Sequence, residues 1–497
     1  MRCGRVLPKQ KAVFVTGART PFAKSFGSLM TVDNVRLGTA AVGGLLRKSK
    51  LDPKEVNHVI WGNVVLQLDA HNCAREIVIE LNLPKNITAH FTSMACATGL
   101  NAMAQAVMMI ESGHADVVIA GGSDSMSNAR LVAPATLSYG LARLTMGKKK
   151  GLAALPAFFK EAGYNPLSWL PRPLALEERS TGRTMGWHGD LIGELNNISR
   201  ADQEALAIAS HKNASEAVMK GYMEEEVVPV TVARNGETVE FVKDEYIQSD
   251  IEKMKAKLPT LKPAFRRPNG TITPATSSGL TDGGSAMLLM SEEKAKQLGY
   301  PTDISVKSWH FSAIDPYPQL LLAPVLGWGP TLKRAGLTAE DIDLFEIHEA
   351  FAAQVLATIK CLQSPEFFER YTGSRDVVLK EKFDFSKLNV NGGAMALGHP
   401  FAATGGRLVT SLANELRRSG KRHGLISICA AGGLGALPFW NTHPGQTSMI
   451  KLVCPFLPGF RYFRESVTIR KQLLYLFFLG FSFSLFFSTG ILIFLQV

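Results

Sequence analysis

Cysteine is scarce in this chain. Six thiols, Cys3, Cys73, Cys96, Cys361, Cys429 and Cys454, are spread over 497 residues. They are too few and too scattered for a disulfide scaffold, and no two stand at metal-ligand spacing, which removes a zinc ribbon. Glycine (44) and proline (25) fall far short of a collagen-like share. Charged residues make up 20% against 46% hydrophobic, a balance that excludes disorder and a coiled-coil rod. Acids are outnumbered, 43 against 54 Lys and Arg, leaving a net charge of +11. Such a surface suits an anionic partner: nucleic acid, phospholipid or a phosphate-bearing cosubstrate. The charge is diffuse and no RNA-binding motif or helix-turn-helix accompanies it, so nucleic acid is set aside. At about 100–200 residues per domain the length implies two to four structural units.

The two ends lack what the middle has. Met1–Lys11 contains no acid; it reads as the remnant of a transit peptide or a short leader. Leu473–Val497 contains no charge at all. That run is long enough to cross a bilayer as a helix, and Arg461, Arg464, Arg470 and Lys471 flank one side only, as in a tail anchor. A buried helix and an atypical terminal exon are the other readings. The stretch 437–467 has no clear period and reads as a linker.

Between the ends, apolar strand-like runs alternate with amphipathic helical runs. AVFVTG at 12–17, HVIWGNVV at 58–65, DVVIAGG at 116–122 and LISICAAGG at 425–433 are the strands. This alternation predicts α/β architecture with largely buried sheets. Two stretches resemble each other, one from Cys96 and one from Phe401. Each has an Ala-Thr-Gly opening, an amphipathic helix, a glycine stop, a strand and a Gly-Gly turn. Leu100, Met103, Ala104 and Val107 share one face of the first helix; Leu408, Leu412 and Leu416 share one face of the second. Gly113 and Gly420 stand where helix C-caps belong. A duplicated α/β half-unit is the economical explanation.

The repeat carries chemistry. Cys96 stands just before the first helix, where the dipole and free N–H groups favour thiolate. Its small neighbours Ala95, Ala97 and Gly99 leave room for a substrate. An inert buried thiol is the alternative. His399, held in GHPFAATG between Gly398 and Pro400, projects from a loop near a helix start and can take a proton or donate to an oxyanion. Cys429 ends a strand in ICAAGGLG, where the glycine-rich turn presents backbone N–H groups. His348 and Glu349 open an apolar helix in IHEAFAAQ, and a histidine there can position a water or a carbonyl.

CATG, GGSDSMS, HEAFAAQ, NGGAMALGHPFAATG and CAAGGLG, in this order, resemble the signature blocks of the thiolase family. The resemblance runs from about Lys11 to Ala436. HEAF in place of the commoner NEAF resembles the trifunctional-protein β-subunit branch and its bacterial counterpart. The resemblance implies a duplicated αβαβα layered fold with an inserted loop domain. It places the N-terminal half at 11–129, completed by 279–295, the loop domain at 130–278 and the C-terminal half at 296–436. An atypical tail follows at 437–497, with the membrane run at 473–497.

The resemblance also implies roles. Cys96 is the acyl-accepting nucleophile and His399 its activating base and an oxyanion donor. Cys429 is the second acid/base, and His348 holds a catalytic water. The N–H groups of Cys96 and Ala431 form a further oxyanion hole, and Ser278 contacts the pantetheine arm of CoA. The implied reaction is thiolytic cleavage of medium- or long-chain 3-ketoacyl-CoA in fatty-acid β-oxidation. CoA is a co-substrate, and no cofactor is permanently bound. A homodimer or dimer of dimers, a hydratase/dehydrogenase α subunit and a mitochondrial, membrane-associated location follow from the same branch. A biosynthetic acetoacetyl-CoA thiolase, a ketoacyl synthase and a non-catalytic membrane-held subunit are the rivals; Cys429 argues against the synthase.

Three features depart from the family. Trp187 and His188 in MGWHGD are unexpected on the CoA side. Pro438 follows CAAGGLGA and cannot donate a ladder hydrogen bond, so the last strand is expected to be missing or malformed. The apolar tail is foreign to the family. Within the insertion, Arg143, Lys148, Lys149, Lys150 and Lys160 stand beside Leu141, Leu144, Leu152, Leu155, Phe158 and Phe159, a pattern suited to a membrane surface or a partner.

Overall fold

The computed structural model describes residues 10–173, 176–234 and 236–442. The tail with its expected membrane run at 473–497, and nearly all of the basic N-terminal leader, lie outside them. Among the described residues no helix is long and apolar enough to cross a membrane.

The N-terminal half consists of β1 (Ala12–Arg19), α1 (Asn34–Ser49), β2 (His58–Gly62), α2 (Cys73–Glu80), β3 (Thr88–Thr92), α3 (Thr98–Glu111) and β4 (Val117–Ser125). An insertion follows with α4 (Ala135–Met146), α5 (Leu155–Ala162), α6 (Met185–Leu195) and α7 (Arg200–Met219). The chain then returns to the sheet as β5 (Thr281–Ser291). The C-terminal half has β6 (Ile304–Ala313), α8 (Ala323–Ala335), β7 (Leu344–Ile347), α9 (Ala352–Leu362), α10 (Phe401–Ser419), β8 (His423–Ala430) and β9 (Leu434–Thr442).

The strands run β7-β8-β9-β6-β1-β5-β4-β2-β3, with the short strand Ala23–Lys24 beside β5. Read outward from the middle, β1-β5-β4-β2 mirrors β6-β9-β8-β7. The pairing senses match as well: β2/β4 and β7/β8 are parallel, and the pairs nearer the centre are antiparallel. The two half-sheets meet at β1 and β6 through one register pair, Val13 with Ser305. This is the duplicated unit that the two Ala-Thr-Gly segments announce.

The three largest apolar cores fill the spaces between the layers. The middle core joins β1, α3, β4, α10, β8 and β9. The outer cores lie under α1 and α2 on one side and under α8 and α9 on the other. A helix between two sheets has no solvent face, which is why α3 and α10 are buried on most of their circumference rather than along one stripe. Every residue of β4 and β5 is buried for the same reason.

The last strand is present, against expectation. β9 runs past Ala436 to Thr442 and pairs with β6 over its whole length. Pro438 takes its place opposite Trp309 in that ladder. On the other side the pairing to β8 lapses at Leu437 and Pro438 and resumes at Phe439. The missing N–H thus interrupts one ladder locally, while burial of Leu437, Phe439 and Trp440 holds the strand in place. Trp440 meets Phe14 edge-on at 5.8 Å. What reads as linker from residue 437 is therefore strand as far as Thr442.

Candidate active site

The nucleophile candidate leaves a strained turn. Between β3 and α3 the chain passes through Ala95, a non-glycine residue at φ 47°. Such a left-handed conformation costs about 1–2 kcal/mol. Met94 N–H donates to Thr98 Oγ1 at 2.8 Å, and that hydroxyl donates to Ala95 O at 2.7 Å, which holds the turn. Cys96 follows, half-buried. The helix N-terminus alone would favour thiolate, but burial wins. It pushes the thiol up to about 12, the Asp124 carboxylate adds to the rise, and the N–H groups of Ala431 and Cys96 oppose it only in part. Cys96 therefore rests protonated and needs a base.

Gly99 does not serve as substrate space. A Cβ there would stand 2.7 Å from Ala402 O and 2.9 Å from Gly406 N. Its smallness lets α3 and α10 cross in the middle layer.

His399 occupies the equivalent place in the second half: both it and Cys96 stand two residues before a central helix. Gly398, at φ 96°, makes the bend, and the His399 N–H donates to Gly279 O at 3.2 Å. Its Nδ1 lies 2.6 Å from Thr404 Oγ1, while Nε2 has no partner among the described residues. With Thr404 accepting from Nδ1–H, the Nε2 lone pair is free to take a proton. Burial, then the charge of Arg407, lowers its pKa to about 3, so the imidazole is neutral.

His348 follows β7 and stands four residues before α9 rather than opening it, its N–H donating to Ser427 O of β8 at 2.9 Å. Its ring centroid is 4.2 Å from that of His399. It is fully buried, and neither ring nitrogen has a partner among the described residues. Burial, His399 and Arg407 hold its pKa well below the usual range. Cys429 is buried on β8; burial raises its thiol, and neighbouring Cys96 raises it further. Ala431 begins the turn after β8. The next N–H, of Gly432, donates to Glu178 Oε2 of the insertion at 2.8 Å. Ser278 lies on a segment bonded on both sides, with its N–H and hydroxyl donating to Ala350 O at 3.0 and 3.3 Å.

Two strand ends of one half, the two central helix starts and the segment 278–280 thus hold the expected residues. A pair of protonated thiols and a pair of neutral imidazoles in ring contact are groups that can form and break a thioester and pass protons.

The thiolase N-terminal domain model matches residues 12–293, and the thiolase C-terminal domain model matches residues 301–438. The chain belongs to the thiolase family. It is an acyltransferase. The 3-ketoacyl-CoA thiolase of Shewanella woodyi is 42% identical over 86% of this chain and 95% of its own. That of Shewanella amazonensis is 40% identical over 86% and 96%. Among solved structures, the Bacillus anthracis acetyl-CoA acetyltransferase superposes with a TM-score of 0.75 at 30% identity, covering 88% of this chain and all of its own. Human mitochondrial 3-ketoacyl-CoA thiolase gives 0.71 at 28%, covering 87% and 99%.

Sequence reasoning passed over the groups that assemble this thiolase's site. Asp124, inside GGSDSMS, accepts from Val65 N at 2.7 Å, Val64 N at 2.9 Å and Ala402 N at 2.8 Å. One carboxylate thereby ties β4, the loop after β2 and the first turn of α10. Glu349, noted only as the neighbour of His348, accepts from Ser210 Oγ at 2.7 Å, Asn389 Nδ2 at 2.6 Å and Met395 N at 3.1 Å. It anchors the 389–398 loop that presents His399. A lone acid inside an apolar motif was the available signal for both.

The unexpected pair at 187–188 has structural employment. His188 is buried with Nε2 2.8 Å from Thr181 Oγ1. Trp187 lies under two guanidinium groups, Arg183 at 5.2 Å and Arg266 at 5.5 Å.

Proposed function

We propose that this thiolase cleaves medium- and long-chain 3-ketoacyl-CoA with CoA, through an acyl-enzyme on Cys96, in fatty-acid β-oxidation. The observations that carry the reading are two pairs, Cys96 with Cys429 and His348 with His399, linked through Phe401, which meets the His399 ring edge-on at 5.1 Å and belongs to the cluster that packs on Cys96. His399 takes the Cys96 proton as the sulfur bonds to the 3-keto carbon, with the Ala431 and Cys96 N–H groups and the histidines facing the developing oxyanion. The bond between the 2- and 3-carbons breaks, and Cys429 protonates the departing enolate of acetyl-CoA. The CoA thiol then returns a proton to Cys429 and attacks the acyl group. Cys96 leaves and recovers its proton from His399. His348 holds the water that relays to the oxyanion, and Ser278 faces the pantetheine arm. After the first half-reaction His399 carries the Cys96 proton and Cys429 is a thiolate, and the second half-reaction restores both. Acetyl-CoA leaves the acyl-enzyme before CoA attacks it, so ping-pong kinetics follow.

Chain length is supported by an apolar wall of Val65, Met126 and Phe401 packed with Cys96, Ala129 and Leu176. From that wall, residues 126–132 lead to an apolar groove of about 580 Å³ bounded by Val132, Pro134, Arg172 and Pro173. We read that groove as the place for a long acyl tail, which a two-carbon unit does not need.

Membrane association rests on the insertion. Leu152, Leu167, Leu170, Met146 and Tyr164 are exposed around α4 and α5, beside Lys148, Lys149 and Lys150. The outer edge of β3, which pairs with no further strand among the described residues, supports a homodimer. The mitochondrial location and a hydratase/dehydrogenase α subunit are supported by the HEAF branch alone.

The test is CoA-dependent cleavage of a long-chain 3-ketoacyl-CoA by full-length protein in detergent, with Cys96→Ala as control. Turnover that persists in the control removes the nucleophile assignment. Faster turnover of acetoacetyl-CoA than of the long-chain substrate favours the biosynthetic rival.

A further inference from the structure

The groups that touch substrate under this reading do not account for Arg407 and Glu346. Both side chains are buried, at 1% and 4% exposure, and they meet at 3.0 Å through Arg407 Nη1 and Glu346 Oε2. Arg407 makes no other described hydrogen bond: Nε and Nη2 have no partner among the described residues. A buried pair held by one contact gains little stability over an apolar pair of the same size. Its worth lies elsewhere, and its position shows where.

Glu346 and His348 are two residues apart on an extended segment, so they project to the same side. Thr404, which holds His399 Nδ1, and Arg407 are three apart on α10, so they share a helix face. The ion pair therefore joins the strand of one histidine to the helix of the other, one step along from the ring contact. We propose that Arg407 and Glu346 are positioning residues that set the His348–His399 contact and the field in which the two rings exchange protons. This rests on the thiolase reading of the site.

The surrounding charges are few. Glu349 lies in the turn after β7, Cys429 on β8, Cys96 before α3, and Asp124 at the end of β4 acts on Cys96. Glu226 from the insertion and Glu349 act on Glu346. Arg407 is the cation that acts on both rings. Removing it must raise the proton affinity of both histidines. Burial pushes the Glu346 carboxyl up to about 8 against the pull of Arg407, so below that pH Glu346 holds the guanidinium in place more than it adds charge, and removing it must loosen the ring contact without moving the titration of the rings.

The experiment compares kcat/KM against pH for the full-length protein, Arg407→Met, Arg407→Lys and Glu346→Gln. Site-resolved alkylation of Cys96 by iodoacetamide against pH is run alongside and needs no turnover. The acid limb moves up by about one pH unit in Arg407→Met and returns in Arg407→Lys, while Glu346→Gln lowers kcat/KM without moving the limb. A pair with a purely structural role slows all variants without moving the limb, or moves it one way in all; either result overturns the proposal. Where Arg407→Met fails to fold, Arg407→Met combined with Glu346→Leu, which leaves no buried charge unpaired, takes its place and should show the same upward shift. Wild-type protein that shows the alkylation profile but no thiolysis refutes the function, not the positioning pair.

Discussion

Gly99→Ala adds one methyl group at the crossing of the two central helices, where there is no space for it. The new carbon would stand 2.7 Å from Ala402 O, 2.9 Å from Gly406 N and 3.1 Å from Gly405 Cα. All three are backbone atoms of α10, so no side chain can swing aside. Reaching the 3.4 Å of ordinary contact requires α3 and α10 to part by about 0.7 Å at this point. Overpacking of this kind costs about 1–3 kcal/mol, while the better helix propensity of alanine returns at most about 1 kcal/mol. A net loss of roughly 1–2 kcal/mol follows. Activity should fall further than stability. Cys96 precedes one of these helices and His399 the other, and a misplacement near 1 Å can cost on the order of 100-fold in rate.

Urea unfolding and thiolysis on the same preparations check this. Gly405→Ala probes the same crossing from the other side, since its Cβ would meet Leu100 N at 2.5 Å. The double variant should lose less than the sum, because the helices part once for both. Gly43→Ala in α1 is the control: its nearest neighbours are the side-chain ends of Leu81 and Arg47 at 3.2 and 3.3 Å, which can move. It should be neutral or slightly stabilising. Gly99→Ala protein with wild-type stability and rate would refute the reasoning.

Cys429→Ala should abolish turnover yet still permit acyl transfer to Cys96, seen as a mass increase on the Cys96 peptide. Burial lowers His58 and His211 to about 4 and His399 to about 3. Their stabilising contribution is complete above the unfolded value near 6.5 and drains away as pH falls toward 3. Asp124 and Glu346, pushed up by burial to about 7 and about 8, work the other way over part of that window, so the histidine share is read as a smaller acid-side fall of melting temperature in His58→Gln and His211→Gln. The raised thiols of Cys96 and Cys429 cost stability on the alkaline side, as the unfolded thiols ionise. The neutral state of His399 also predicts an acid limb of kcat/KM well below pH 6.5. A chain ending at Thr442 should keep the fold and thiolysis, whereas one ending at Ala436 loses Leu437, Phe439 and Trp440 from the core. Burying one large aromatic less costs about 3–5 kcal/mol, so circular dichroism should show the shorter chain unfolded. Leu152→Glu with Leu170→Glu should reduce flotation with anionic vesicles and leave cleavage of a soluble short-chain substrate unchanged.

By itself the sequence determined the alternating architecture, the duplication and the candidates for the reacting groups. These are local properties: hydrophobic period, helix stops at Gly113 and Gly420, and a thiol or imidazole set two residues before a helix. Tertiary structure decided the rest. The protonation of Cys96 depends on burial from both halves, and that burial outweighs the helix N-terminus that the sequence displays. The role of Gly99 depends on which helix crosses it. Asp124 and Glu349 act on segments that are far apart in the chain, so nothing in their own motifs says what they bind. The last strand survives Pro438 because the ladder to β6 and the burial of Phe439 and Trp440 are long-range interactions. A proline penalty read locally was correct about one ladder and wrong about the strand.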